Sequence, residues 1–284
     1  MLNYKAMMAR DPRFSTRREA LRAAVGLAAA CALGTGVARA DEPGPDIPDA
    51  LTTGSPGRVV EIVDGDTLLL ADDREVRLVG LQAPKLPLGR AGFEAWPLSD
   101  EAKATLGELT LDRVVTLAYG GRRVDRYERK LAHLFRDDGL WIQAEMLRRG
   151  MARVYSFADN RTLVRRMQRI EATARNADRG IWSHPFYRVR TVAEAHDLVG
   201  GFQLVMGRVR ATADVRGRIF LNFGEDWRED FTVMIPPERT DAFDDAAFEP
   251  LDLEGRWVRV RGWIESYNGP MIEATHPEQI EVIP

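Results

Sequence analysis

From Gly57 onward the chain runs in short alternations of apolar and polar residues separated by turn formers. Arg58 to Val63 and Thr67 to Ala71 are β-rich. After Asp72-Asp73, Arg74 to Leu81 places Val76, Leu78 and Gly80 on one face and Arg77, Val79 and Leu81 on the other. This pattern predicts an antiparallel meander. Ser99, Asp100 and Glu101 have the chemistry of a helix start, and Ala102, Leu106 and Leu109 follow at helical spacing. Val114 to Tyr119 and Lys130 to Arg136 read as strands, and Trp141 to Arg149 as a short helix closed by Gly150. A last helix is expected after a cap at Asp159 or Asn160, with Leu163, Met167, Ile170, Ala174 and Ala177 as its apolar stripe and Gly180 at its end.

Five strands interleaved with three helices predict a mainly β fold with α, a small closed barrel of the oligonucleotide- and oligosaccharide-binding (OB) kind with helices packed around it. His184 to Val199 reads as a connector with a short helix at Thr191 to Leu198. Beyond Gly200-Gly201 lie six more β-rich runs, and Asn268-Gly269 is a two-residue hairpin signal. They predict a second small antiparallel β-barrel, OB-like, over residues 201–284. The triplet Gly-Arg-Val opens a hairpin at Gly57 and again at Gly207, a hint of related barrels too short to establish a repeat.

Composition adds a leader. The chain has 284 residues, 45% hydrophobic and 29% charged, which is globular and rules out disordered and collagen-like readings. Residues 1–40 combine Arg17-Arg18, an apolar stretch from 23 to 38, and a small-residue ending at Ala38-Arg39-Ala40. Ser15 to Leu21 resembles a twin-arginine export signal. Cleavage before Asp41 is the expectation, with a periplasmic or secreted protein as its consequence, and an uncleaved anchor is the alternative. The only cysteine, Cys31, falls in that leader. Residues 41–56 read as a solvated linker.

Charge separates the two modules. Residues 58–184 hold 22 basic and 19 acidic side chains (+3), and residues 185–284 hold 11 and 18 (−7). Any nucleic-acid contact must therefore come from a local patch of the first module, while the second suits a protein partner or a stabilising role. Trp227, Trp257, Trp263 and Tyr267 of the second module are either stacking groups or core. His133, His184, His196 and His276 show no metal-ligand spacing, so no zinc is expected, and no glycine-rich phosphate loop suggests a nucleotide cofactor. Arg165, Arg166 and Arg169 on the last helix form a basic strip, read as a backbone contact for nucleic acid or as a solvated face.

Val63-Asp64-Gly65-Asp66-Thr67 fixes two carboxylates beside a turn where Gly65 can take a backbone conformation closed to other residues. Together with Arg77 to Pro84, Asp125-Arg126-Tyr127-Glu128-Arg129, Ala152-Arg153-Val154, Glu171-Ala172 and Gly180-Ile181-Trp182, in this order, it resembles the staphylococcal nuclease, or thermonuclease, family over residues 57–184. The resemblance implies an OB barrel that hydrolyses DNA and RNA with Ca²⁺. It places a metal-binding aspartate at Asp66 and two phosphate-holding arginines at Arg77 and Arg129.

Two positions depart from the family. Gln82 stands where the resemblance implies a second metal-binding aspartate, and Lys85 where it implies the glutamate that activates water. The expected metal set is thus Asp66 with Gln82, and Ca²⁺ binding is expected to be weak or absent because ligand charge is lost. Lys85 is a base only if burial lowers its proton affinity, or else a phosphate clamp. Glu94, on the loop Leu86 to Leu98, is a substitute carboxylate if that loop brings it in. Asp64 and Asp125 suit hydrogen bonding in turns. Two functions follow: an exported phosphodiester hydrolase with an altered metal site, or an inactive nuclease-like module that binds nucleic acid, nucleotide or a protein partner in the cell envelope.

Overall fold

Alternation and turn chemistry become a closed barrel in the computed structural model, which describes residues 46–226 and 228–284. The leader and Trp227 lie outside the described residues. The first module contains β1 (Thr52–Asp64), β2 (Thr67–Leu70), β3 (Glu75–Leu78), β4 (Leu81–Gln82), α1 (Ser99–Thr110), β5 (Val114–Tyr119), β6 (Lys130–Arg136), α2 (Ile142–Arg148), β7 (Arg153–Val154) and α3 (Val164–Asn176). Its barrel closes in the order β1-β2-β3-β6-β5, antiparallel except for β3 on β6. Val76 and Leu78 are buried in the barrel core while Glu75 and Arg77 take the outer face of β3. β1 begins at Thr52, inside the stretch read as linker, because Thr52 to Arg58 pair with β5.

The predicted strand Arg74 to Leu81 is broken. Gly80, at φ 83°, turns the chain out of the barrel, so Leu81-Gln82 pair instead with Arg153-Val154. Gly65 also differs from expectation, since its φ is not positive. What it supplies is space: a Cβ there would lie 2.7 Å from Ala83 Cβ and 2.8 Å from Ala102 Cβ.

The second module contains β8 (Arg190–Thr191), β9 (Phe202–Arg208), β10 (Ala211–Val215), β11 (Arg218–Asn222), β12 (Thr232–Ile235), α4 (Asp241–Asp244), β13 (Trp257–Ser266), β14 (Pro270–Glu273) and β15 (Ile280–Ile283). Its sheet runs β10-β11-β12-β14-β13-β9-β8, with β15 on β13. With β9 and β10 taken as one interrupted strand, this is the order of the first barrel. It is not purely antiparallel, because β12 pairs parallel to β14, as β3 does to β6, and β8 pairs parallel to β9.

The two Gly-Arg-Val triplets occupy the same place in these sheets. Val59 N–H donates to the Arg113 carbonyl and its own carbonyl accepts from Asp112, while Val209 makes the same two bonds with Arg256 and Gly255. Arg58 and Arg208 each donate to a carbonyl of that same turn, at Asp112 and Gly255. Both glycines admit close neighbours, Leu70 at Gly57 and Val192 at Gly207.

α3 carries the second module. Its buried residues are Val164, Met167, Gln168, Glu171 and Ala174, a face turned from the predicted stripe because the sheet of the second module packs against the polar positions Gln168 and Glu171. The helix also starts at Val164, after Leu163 at φ 65°, later than the Asp159-Asn160 cap predicted. Glu278 accepts from Arg161 at 2.9 Å, and its carbonyl from Gln168 at 2.6 Å. Ser156 and His276 share a hydrogen bond of 2.8 Å. No helix of the described residues is long and apolar enough to cross a membrane.

His133 and His276 are both buried, and burial lowers each imidazole to about 4 from 6.5. For a base with a depressed folded value, the unfolded chain takes up more protons, so stability is full above pH 6.5 and is lost as pH falls toward 4. Unfolding free energy should therefore drop across that window, by up to roughly 3 kcal/mol per histidine. Urea titrations at stepped pH check this, and His276→Gln should flatten part of the slope. A stability flat from pH 7 to 4 contradicts it.

Candidate functional site

The two carboxylates of the β1–β2 turn and the basic side chains of β3 and the following loop meet at one end of the barrel. Asp64 ends β1 and accepts from the backbone N–H of Asp66 at 3.0 Å, so the first carboxylate fixes the turn that presents the second. Asp66 is fully buried. It accepts from Ala83 N–H at 2.8 Å and from Thr67 Oγ1 at 3.2 Å, and it pairs with Arg77 at 2.9 Å.

Lys85, 4% exposed, stands between the two acids: Nζ is 2.6 and 2.7 Å from the Asp66 oxygens and 3.2 Å from Asp64 Oδ2. Burial by itself raises the Asp64 carboxyl, but Lys85 and Arg77 outweigh it and hold that group well below the carboxylate range. Burial also raises Asp66, with Arg77 and Lys85 pulling the other way.

Arg77 is turned inward along the cluster rather than toward solvent. Besides Asp66 it donates to the carbonyls of Asp66, Leu78 and Leu81 at 3.2, 3.2 and 2.9 Å. Gln82 is buried as well, and its Oε1 accepts twice from Arg153, at 3.0 and 2.8 Å. Arg153 in turn lies 4.7 Å from the ring of Phe202, which belongs to the second module. Arg129 is held by Asp125, with Nε and NH2 at 2.8 and 2.7 Å, and Asp125 also accepts from the N–H groups of Tyr127 and Arg129. Burial opposes the Arg129 charge, yet Asp125, Glu75 and Asp66 together raise it.

The other predicted residues lie apart. Glu94 is exposed on its loop and makes no hydrogen bond or ion pair with Asp64, Asp66 or Lys85. The loop is fixed by Trp96 N–H on the Lys85 carbonyl and by Arg90 on the carbonyls of Leu86 and Pro87. The strip on α3 divides. Arg166 stacks 5.2 Å from Trp141, whereas Arg165 and Arg169 line a cleft of about 410 Å³ shared with Glu278 and Glu281 of the second module. Of the second module's aromatics, Trp263 donates to Tyr155 in the contact between modules, and Trp257 and Tyr267 are exposed.

Two residues escaped the sequence reading. Glu75, two positions before Arg77 on the outer face of β3, keeps one buried carboxyl oxygen without a hydrogen-bond partner, and burial raises its carboxyl while Arg129 opposes. Its place two residues from Arg77 in a strand was the available signal. Arg261 had none, because alternation with Arg259 places it on what reads as a solvent face.

The whole arrangement lies in a region with known relatives. A model of the family described as staphylococcal nuclease homologue matches residues 75–184. An uncharacterized endonuclease of Escherichia coli O157:H7 is 33% identical over 130 residues, 45% of this chain and 76% of that protein. The chain belongs to the staphylococcal nuclease family. Protein ParB of Escherichia coli is a further family relative, 31% identical over 140 residues, 45% of this chain and 73% of that protein. An uncharacterized protein of Bacillus anthracis matches at 34% over 137 residues, 45% of this chain and 60% of that protein.

Membership in the staphylococcal nuclease family raises the question of Ca²⁺, and the donor set does not fit it. Ca²⁺ takes about six to eight oxygen ligands. Here an ammonium group is bound to both turn aspartates, the Gln82 carbonyl is taken by Arg153, and no group of three or more His, Cys, Asp or Glu suited to a metal occurs among the described residues.

Proposed function

We propose that residues 52–184 bind the phosphodiester backbone of single-stranded nucleic acid and do not hydrolyse it by a Ca²⁺-dependent route. The observation that carries this reading is the Lys85 ammonium lying 2.6–3.2 Å from Asp64 and Asp66. Binding falls to the loop after β5. There Arg126 and Tyr127 are exposed, and the Arg126 and Arg129 guanidiniums lie 5.0 and 5.3 Å from the Tyr127 ring. Cations around an exposed aromatic ring suit a chain of phosphates and unstacked bases. The leader pattern supports work outside the cytoplasm, and the exposed Trp257 and Tyr267 support a protein contact for the second module.

Fluorescence anisotropy with labelled single-stranded RNA and DNA tests the binding. Affinity should persist in chelator and fall with salt, and Arg126→Ala and Arg129→Ala should each reduce the salt slope by about one. Ca²⁺-stimulated cleavage by the unmodified protein, lost in Arg129→Ala, sinks the reading.

Glu75 favours a second reading, cation-independent hydrolysis, in which its carboxylate takes a proton from water while Arg129 holds the phosphate. Cleavage in chelator that is lost in Glu75→Gln with binding intact is its signature. Binding without cleavage in chelator excludes it.

A further inference from the structure

We propose that Lys85 is the resident cation of this site, a covalently attached counter-charge in the place of a divalent ion, and that its removal leaves a cation-binding pocket framed by Asp64 and Asp66. This rests on the same Lys85 contacts as the proposed lack of Ca²⁺-dependent hydrolysis, not on nucleic-acid binding, and concerns what the two buried carboxylates require.

Asp64 and Asp66 are 5% and 0% exposed, and two anions confined there need positive charge nearby. Arg77 supplies part of it, but its direct ion pair is with Asp66 Oδ1. The bond that joins both acids is made by Lys85, which reaches Asp64 Oδ2 and both oxygens of Asp66. The ammonium thus makes the contacts that a hard cation would make, with three oxygens from two carboxylates.

The site is also built around the lysine. Pro84 precedes it in the buried run Leu81 to Lys85, Ala83 N–H is tied to Asp66, and the Lys85 carbonyl holds Trp96 N–H. Its stem enters from a loop anchored on both sides, so the charge sits at a fixed depth rather than on a free surface chain.

Shortening the side chain takes away the charge and leaves room, while the carboxylates and the turn that aims them stay. A cation can then gain what the ammonium lost. Carboxylate count sets the affinity of such sites, so two acids predict weak binding, in roughly the millimolar range. A cation that binds only the folded state raises its stability in proportion to the logarithm of concentration over dissociation constant.

The test uses the full chain without nucleic acid, with CaCl₂ as the probe. Unmodified protein should show no heat of Ca²⁺ binding and the same melting temperature in chelator and in millimolar Ca²⁺. Lys85→Ser should melt lower in chelator and regain several degrees in Ca²⁺, with a saturable calorimetric signal. Lys85→Ser combined with Asp66→Asn should show neither. If Lys85→Ser is unfolded in chelator, refolding from urea should succeed with Ca²⁺ and fail without it. Lys85→Gln, which fills the space without charge, should melt low and gain less from Ca²⁺ than the serine variant. Equal stabilisation of the unmodified protein by Ca²⁺ overturns the proposal, as does a Lys85→Ser variant indifferent to Ca²⁺ in melting and refolding.

Discussion

Arg261→Ala should unfold with about 3–5 kcal/mol less free energy than the unmodified protein. Arg261 is 1% exposed and Glu171 is fully buried. The guanidinium donates to the two Glu171 oxygens at 3.3 and 2.9 Å and to the Val154 carbonyl at 3.1 Å, and it also pairs with Glu281. Truncation leaves Glu171 with Arg175 at 3.0 Å and the Val154 N–H as partners, too few for a carboxylate closed off from water. Urea denaturation followed by tryptophan fluorescence measures the loss, and a change below about 1 kcal/mol contradicts it.

The double variant Arg261→Met with Glu171→Leu separates two effects. An apolar pair of similar volume is often neutral in place of a buried ion pair. Recovery toward the unmodified stability would locate the cost in the stranded charge rather than in lost shape. Acid acts through the same pair. Burial alone would raise the Glu171 carboxyl, but Arg261, Arg175 and the Val154 N–H hold it low. Its contribution is therefore present above the unfolded carboxylate range and is lost as pH falls through the lower folded value.

Much of the fold was legible because strand alternation, turn residues and helical spacing are local properties. Val76 and Leu78 inward with Arg77 outward, Ala102 with Leu106 and Leu109 on the core, and the Asn268-Gly269 hairpin, with φ 49° and 93°, all follow from periods of 2 and 3.6 or from turn chemistry. The failures occur where one module covers another. Gln168 and Glu171 fall outside the apolar stripe predicted for α3, and Arg259 and Arg261 alternate with the apolar positions of β13. Their partners, Glu278 for Gln168 and Arg261 for Glu171, lie 110 and 90 residues away. Trp263, on the same face as Arg261, is covered in the same way, donating to Tyr155 across the contact between the modules.

The site was half legible for a related reason. Asp66, Arg77 and Lys85 could be named from motif order, and they do meet. Where each side chain's hydrogen bonds go was not visible. Arg77 spends its donors on Asp66 and three carbonyls, and Gln82 gives its carbonyl to Arg153, a residue two positions past Met151 with no polar neighbour in sequence to suggest the pairing. Glu75 went unnoticed because a charged residue on the open face of a strand has an ordinary explanation, and only the burial of one of its oxygens sets it apart.

Asp66→Ala should cost a comparable amount, about 3–5 kcal/mol, through the opposite imbalance. Asp66 takes bonds from Lys85, Arg77, Ala83 N–H and Thr67, so its removal leaves two buried cations facing the single carboxylate of Asp64 and strands the Ala83 N–H. Asp66→Asn keeps an oxygen for Ala83 but withdraws the charge, and it should lie between alanine and the unmodified protein. Adding Lys85→Met to Asp66→Ala removes one of the stranded cations and should recover part of the loss, giving a coupling energy in a double-mutant cycle. Two losses that simply add would mean that Lys85 and Asp66 do not depend on each other, and the pairing of charge that organises this end of the barrel would then rest on Arg77 alone.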